Sequence, residues 1–256
     1  MSDAVKRSEQ FEVGDLPSID IEVRSGSVDV RTGAPGRAIV SLDSGSVDDW
    51  EMIQLGNSVS IRPSGRRARA VRMLVEVPPG SDVELKGVSA DLVLTGSFGA
   101  TRLHSVSGDV RAEAATRLDV NSVSGDVRVG SVAGDASFTT VSGDVEVRDV
   151  LGRFTASSAS GDIRVLKVGD DVSIGTASGD VRVERAGGSV IGVKCISGDV
   201  SVGLPAGIRV EPDISTLSGR TSLPKPSGTP PASAPRVVRV RLRTVSGNIT
   251  IERVSS

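Results

Sequence analysis

The chain has no tyrosine, one tryptophan and four phenylalanines among 256 residues, so aromatic packing cannot dominate its interior. The hydrophobic share of 38% rests on Val, Ile, Leu and Ala and stands beside 30 glycines. That mixture favours short β-branched strands that turn often over long amphipathic helices. Cysteine is nearly absent as well. Cys195 stands alone, so no internal disulfide forms and the fold does without covalent staples. With His104 as the single histidine, nitrogen and sulfur ligands are too few for a zinc site. A nucleophile and base drawn from that pair would come from distant parts of the chain. The formal charge of −2 supplies no global positive field toward nucleic acid or anionic lipid. After the basic residues of MSDAVKRSEQFEVGDL no apolar run of signal-peptide length follows, and no later run approaches the ~20 apolar residues of a membrane span. These absences predict no catalytic residues, no metal, no cofactor, no membrane span and a cytoplasmic location.

What the chain does have is a period. VSGDV occurs intact at positions 106–110, 123–127 and 141–145 and returns in altered form up to TVSGN near the C-terminus. Successive repeat glycines, from Gly108 through Gly125, Gly143, Gly161, Gly179 and Gly198 to Gly219 and Gly247, are 17, 18, 18, 18, 19, 21 and 28 residues apart. A weaker glycine signal falls about midway, so each unit of about 18 residues divides into two halves, such as SGDVEVRDV and LGRFTASSA.

Apolar residues alternate within each half, as in strands with one face buried. Read down the repeats, they form columns. One runs from Val110 to Val200 and a second from Ala112 to Val202, each within one to three residues after the aspartate. A third holds Leu103, Val120, Phe138, Ala156, Ile174 and Val193, and a fourth holds Val106, Val123, Val141, Ala159, Ala177, Ile196, Leu217 and Val245. The expected fold is therefore all-β: a flattened parallel β-solenoid with two strands per coil, stacked at about 4.8 Å, in which no coil buries its apolar face alone. Both valines of VSGDV are expected to enter the core.

On this reading the corners Gly108–Asp109, Gly125–Asp126, Gly143–Asp144, Gly161–Asp162, Gly179–Asp180 and Gly198–Asp199 are structural. Glycine accepts the bend, and the aspartate carboxylate accepts backbone N–H groups. Stacked carboxylates repel, and Arg111, Arg128, Arg164 and Arg182, two residues further on, are placed to offset that repulsion, with Glu146 alternating between two of them. The corners lack the glycine doublet and serial oxygen ligands of a calcium β-roll, so structural calcium is not expected.

Residues 10–95 read as a less regular N-terminal β region that caps or begins the solenoid, where Trp50 and Met52 supply bulk. Residues 96–223 carry the regular repeat, 224–236 form a Pro/Ser/Gly-rich loop, and 237–254 alternate again as a closing β segment that exposes Arg239, Arg241 and Arg243. GRRARAVR, residues 65–72, is the densest basic run. No aromatic residue stands near it to stack on bases, so it reads as a solvated loop and no nucleic-acid partner is expected.

The serial SGD corners, preceded by VEVPPGSDVELKGVSADLVLTG, resemble the bacterial putative adhesin family over roughly residues 10–254. The resemblance implies a β-solenoid in a bacterial protein, with no catalytic residues to carry over; many relatives are attached to the envelope. The expectation that follows is a soluble, non-enzymatic scaffold presenting a rigid repetitive surface to a protein or polymer partner, with self-association left open. A carbohydrate-active β-helix enzyme and a self-assembling filament are the alternatives.

Overall fold

The computed structural model describes residues 5–44, 49–65, 70–224 and 236–254. The centre of the basic run GRRARAVR and nearly all of the segment 224–236 lie outside them. The chain divides into two compact units, Met1–Ala133 and Gly134–Ser256. The described residues of both are built from strands and turns.

The first unit contains β1 (Val5–Glu12), β2 (Ser18–Thr32), β3 (Arg37–Ser44), β4 (Trp50–Leu55), β5 (Ser58–Pro63), β6 (Val71–Val77), β7 (Asp82–Ser107), β8 (Val110–Ser124) and β9 (Val127–Val132). Here β2 runs parallel to β7, from Ser18 opposite Asp82 to Arg31 opposite Thr95. Its other side is shared, with β5 along its first half and β6 along its second. Beyond them the sense reverses: β4 is antiparallel to β5, β3 to β6, and β1 to β3. The stack then proceeds in parallel through β7, β8 and β9. Ile19, Ile21, Val28 and Val30 of β2 are buried, as is Trp50, while Met52 is half-exposed.

The second unit contains β10 (Ala136–Ser142), β11 (Val145–Val150), β12 (Phe154–Ser160), β13 (Ile163–Val168), β14 (Val172–Ser178), β15 (Val181–Ala186), β16 (Val190–Ser197), β17 (Val200–Pro205), β18 (Arg209–Ser218), β19 (Thr221–Ser222), β20 (Val237–Ser246) and β21 (Ile249–Val254). Even-numbered strands up to β16 pair only with even ones and odd with odd, all parallel, which gives two strands per coil. Equivalent residues stand in register, so Phe154 faces Val172, Val172 faces Ile191, and Ile191 faces Val240. Phe138 and Phe154 meet tilted, ring centroids 5.5 Å apart. Each such buried aliphatic or aromatic side chain contributes roughly 1.5–3 kcal/mol.

Two features depart from the sequence reading. The segment 237–254 does not close the stack from outside: β20 lies between β16 and β18, and β21 between β17 and β19. The outermost coil is the earlier one, β18–β19, with mostly exposed side chains and Leu217 at 85% exposure. Pro212 sits in the middle of that edge strand. The Arg209 N–H bonds back to the Arg236 carbonyl, so Pro212, three residues on, falls on the side facing away from β20 and forfeits no ladder bond.

The second departure is one of phase. The three columns beginning at Val110, Ala112 and Leu103 are buried, but the fourth points outward: Val106 is 48% exposed, Val141 51% and Ile196 58%. Parity explains it. Phe138 and Val141 are three residues apart on one strand, so both cannot face inward. The inward position is taken by Thr140, and only the second valine of VSGDV enters the core.

Candidate functional site

The bend at each SGD corner is set by glycine. Gly161 has φ +119°, and a Cβ built there would lie 2.3 Å from the Gly143 carbonyl oxygen of the coil below. The other repeat glycines share the positive φ. The aspartates then link coil to coil through the backbone. In the first unit the Asp109 N–H donates to Asp91 Oδ1 at 3.0 Å, and the Asp126 N–H to Asp109 Oδ1 at 3.2 Å. In the second, Asp162 donates to Asp144, Asp180 to Asp162, and Asp199 to Asp180, at 2.8–2.9 Å. The series ends with the Asn248 N–H on Asp199 Oδ1 and the Arg220 N–H on Asn248 Oδ1. Each carboxylate thus satisfies a backbone donor that the corner takes out of the strand ladder. The opposite corners use the same device, with the Arg153 N–H on Asp135 and the Ser189 and Val190 N–H groups on Asp171.

The arginines respond as the charge column demands, with one exception. Arg111 pairs with Asp109 and Arg128 with Asp126, both at 2.8 Å, and Arg164 reaches Asp162 at 3.5 Å. Arg182 pairs with Glu184 instead of Asp180. These pairs are exposed, and each is worth about 0–1 kcal/mol.

Inside the corner runs a column that the apolar pattern concealed: Ser105 and Ser122 in the first unit, Thr140, Thr176, Cys195 and Thr244 in the second, all buried. Their side chains bond backbone carbonyls two or three residues ahead, as Thr176 Oγ1 does to Ser178 and Cys195 Sγ to Gly198. Cys195 is therefore a member of a hydroxyl column. Burial pushes its thiol pKa up, and a hydrogen bond with Thr244 opposes that shift. The signal available in the sequence was a small hydroxyl residue recurring three positions before the repeat glycine.

Outside the corner stands the misplaced fourth column. Val88, Val106 and Val123 form an exposed row in the first unit. Val141, Ala159, Ala177, Ile196, Val245 and Leu217 do so in the second, flanked by in-register pairs such as Thr176 with Cys195 and Ser178 with Ser197. His104 projects from β7 beside the Lys86–Glu84 ion pair; Lys86, at 2.6 Å, holds the Glu84 carboxyl below its usual range. Among the described residues no group of three or more His, Cys, Asp or Glu is disposed to hold a metal, and no helix is long and apolar enough to cross a membrane.

Strands that alternate between two parallel ladders in β10–β17, with glycine–aspartate corners recurring every 17–19 residues from Gly108 to Gly198 in the sequence, define an all-β protein of the parallel β-solenoid class. The Toastrack DUF4097 pattern matches residues 12–252, and the chain belongs to that family. No curated protein matches it. Among solved structures, it is similar to a putative lipid binding protein from Parabacteroides distasonis at 15% identity, covering 95% of this chain and 96% of that one, with a TM-score of 0.48. A putative adhesin from Bacteroides fragilis gives 13% identity, coverages of 96% and 97%, and a TM-score of 0.48. A putative adhesin from Parabacteroides distasonis gives 12%, 99% and 98%, and 0.41.

Proposed function

We propose that this chain is a non-enzymatic binding scaffold of a bacterial cell, that its SGD corners are structural, and that its partner docks along the aliphatic row. The observation that carries this reading is the row itself. Val141, Ile196 and Val245 are each about half exposed or more at equivalent positions of successive or nearby coils, with only small Ala159 and Ala177 between them. Single exposed aliphatic residues are ordinary, whereas a contiguous ordered row marks an interaction surface. The corner carboxylates are engaged with backbone donors, which supports a structural role over acid–base chemistry. Pro212 on the outer edge weighs against filament growth there by strand addition.

The test compares the wild-type chain with a Val141→Ser, Ile196→Ser, Val245→Ser triple variant in pull-downs from fractionated native cells. Because these side chains are already exposed, the variant should keep its melting temperature and lose the captured partner. Identical captured sets would overturn the row as the docking surface. Turnover in a glycan hydrolysis and lyase screen would overturn the non-enzymatic reading. Recovery of the chain in the envelope fractions would replace the expected cytoplasmic location.

A further inference from the structure

We propose a second binding site: the outward face of β12, β14, β16 and β20, where a trough receives an acidic polysaccharide. The proposal rests on the reading of this chain as a binding scaffold and adds a ligand class at a different surface.

The argument begins with two glycines. Gly175 and Gly192 lie inside strands β14 and β16, diagonal to one another, since Gly175 faces Lys194 and Gly192 faces Ser173 across the ladder. Both alternate with buried neighbours, Ile174 and Thr176 in one strand, Ile191 and Val193 in the other, so both open outward. Neither has a positive φ, and a Cβ at Gly175 would meet nothing within 4 Å; at Gly192 it would touch one atom, at 3.8 Å. Every other glycine within the described strands either has a positive φ or would bring its Cβ into contact closer than those. Glycine weakens a strand interior, and a strand glycine that neither bends the chain nor packs against a neighbour leaves room for another molecule to approach the backbone closely.

The surroundings say what kind of molecule. The trough has a volume of about 520 Å³, with hydroxyls of Thr155, Ser157 and Ser173 on its floor. Arg153 stands at one end and Arg239 at the other, three strand spacings or about 14 Å away. Lys194 stands beside the glycines. The side chains of Arg153, Lys194 and Arg239 have no ion-pair partner among the described residues. Of the other charged residues lining the trough, Arg241 is engaged by Asp213 at 3.0 Å, and the Asp171 carboxylate accepts the Ser189 and Val190 N–H groups. Unpaired cations set apart along a flat floor suit an extended chain bearing carboxylates or sulfate esters at intervals, which Arg holds by charge-assisted hydrogen bonds. Free hydroxyls and exposed strand backbone suit sugar hydroxyls between those charges. No aromatic residue lines the trough to stack on bases, which separates this ligand from single-stranded nucleic acid.

The experiment measures binding of a fluorescent oligouronate to the whole chain at low and at 0.5 M salt. A neutral dextran oligomer and a single-stranded oligonucleotide of similar length serve as comparators. The oligouronate should bind at low salt, weaken sharply at high salt, and bind at least tenfold more weakly to a Lys194→Glu, Arg239→Glu variant. The decisive variant is Gly192→Val. It fills open space with a good strand former, so its melting temperature should equal or exceed that of the wild type while binding is lost. Absence of oligouronate binding at low salt would overturn the proposal, as would equal binding by Gly192→Val. Binding of dextran or of the oligonucleotide as tight as that of the oligouronate would also overturn it. The aliphatic-row variant changes none of these residues, so the scaffold reading stands or falls on its own test.

Discussion

The N-terminal strands and the repeating coils solve one problem, the satisfaction of backbone groups at bends and edges, in different ways. In β10–β17 one device is used repeatedly: a glycine turns, and an aspartate accepts the N–H of the next coil's aspartate. In β1–β6 each junction is particular. Asn57 accepts the Gly14 N–H and donates to the Leu16 carbonyl, Gln54 donates to the Glu12 and Gly56 carbonyls, and Ser81, between β6 and β7, donates its hydroxyl to the Pro78 carbonyl. The N-terminal strands meet one hazard once, at Gly26 of β2, where φ is +117° and a Cβ would lie 1.9 Å from the Val71 carbonyl oxygen; repetition multiplies it. Equivalent corners stack directly, so each glycine is boxed by the carbonyl of its neighbour.

The largest effect should come from breaking that box. Gly161→Ala combines a φ of +119° with a Cβ 2.3 Å from a backbone oxygen, and the loss should exceed about 3 kcal/mol. Gly36 in the N-terminal region also has positive φ, +81°, but open space around it, and Gly36→Ala should lose about 1–2 kcal/mol. Urea unfolding of the two variants measures the difference. Equal losses would mean that stacking adds nothing to the conformational penalty.

A smaller effect separates charge from hydrogen bonding. Asp180→Ala strands the Asp199 N–H, now bonded at 2.8 Å, and should lose about 1–3 kcal/mol. Asp180→Asn keeps an acceptor and should lose less than about 1 kcal/mol, because Asn248 already performs this role for the Arg220 N–H. Asn57→Ala, which removes two bonds at an exposed site in the N-terminal region, should fall between them. Should Asp180→Asn prove as damaging as Asp180→Ala, the carboxylate charge would be what the corner requires.

The same contrast explains what was legible. Coils whose columns repeat at constant phase announced the solenoid and three of its inward columns, Val110, Ala112 and Leu103 with their equivalents. The fourth was misread because hydrophobicity outweighed parity: valine at 141 suggests core and threonine at 140 suggests surface, yet a strand that buries Phe138 must bury Thr140. The out-of-order coil was hidden for the opposite reason. Repeats give every coil nearly the same edges, so Ile191 accepts Val240 as readily as it would the next residues in sequence. The antiparallel strands at the N-terminal end carry no period at all, and Gly175 and Gly192 break the repeat too quietly to stand out among 30 glycines.

The smallest expected effect tests the hydroxyl column at its single sulfur. Cys195 occupies the place that Thr140, Thr176 and Thr244 hold in other coils, with long Sγ contacts to the Gly179 and Gly198 carbonyls at 3.7 and 3.8 Å. Cys195→Thr should therefore change stability by less than about 1 kcal/mol at neutral pH, a buried hydroxyl replacing a weak donor in a site already shaped for it. Alkaline pH separates the two side chains. Burial raises the folded thiol pKa, so above the ordinary thiol value the unfolded chain loses its proton first. The contribution of the neutral thiol is complete below that value and is lost as pH rises through the folded one. Wild-type stability should decline across that range more steeply than that of Cys195→Thr, as followed by urea unfolding between pH 7 and about pH 10. Parallel curves would show that the thiol is no more shielded folded than unfolded, and the corner column would then be open to water where the geometry closes it.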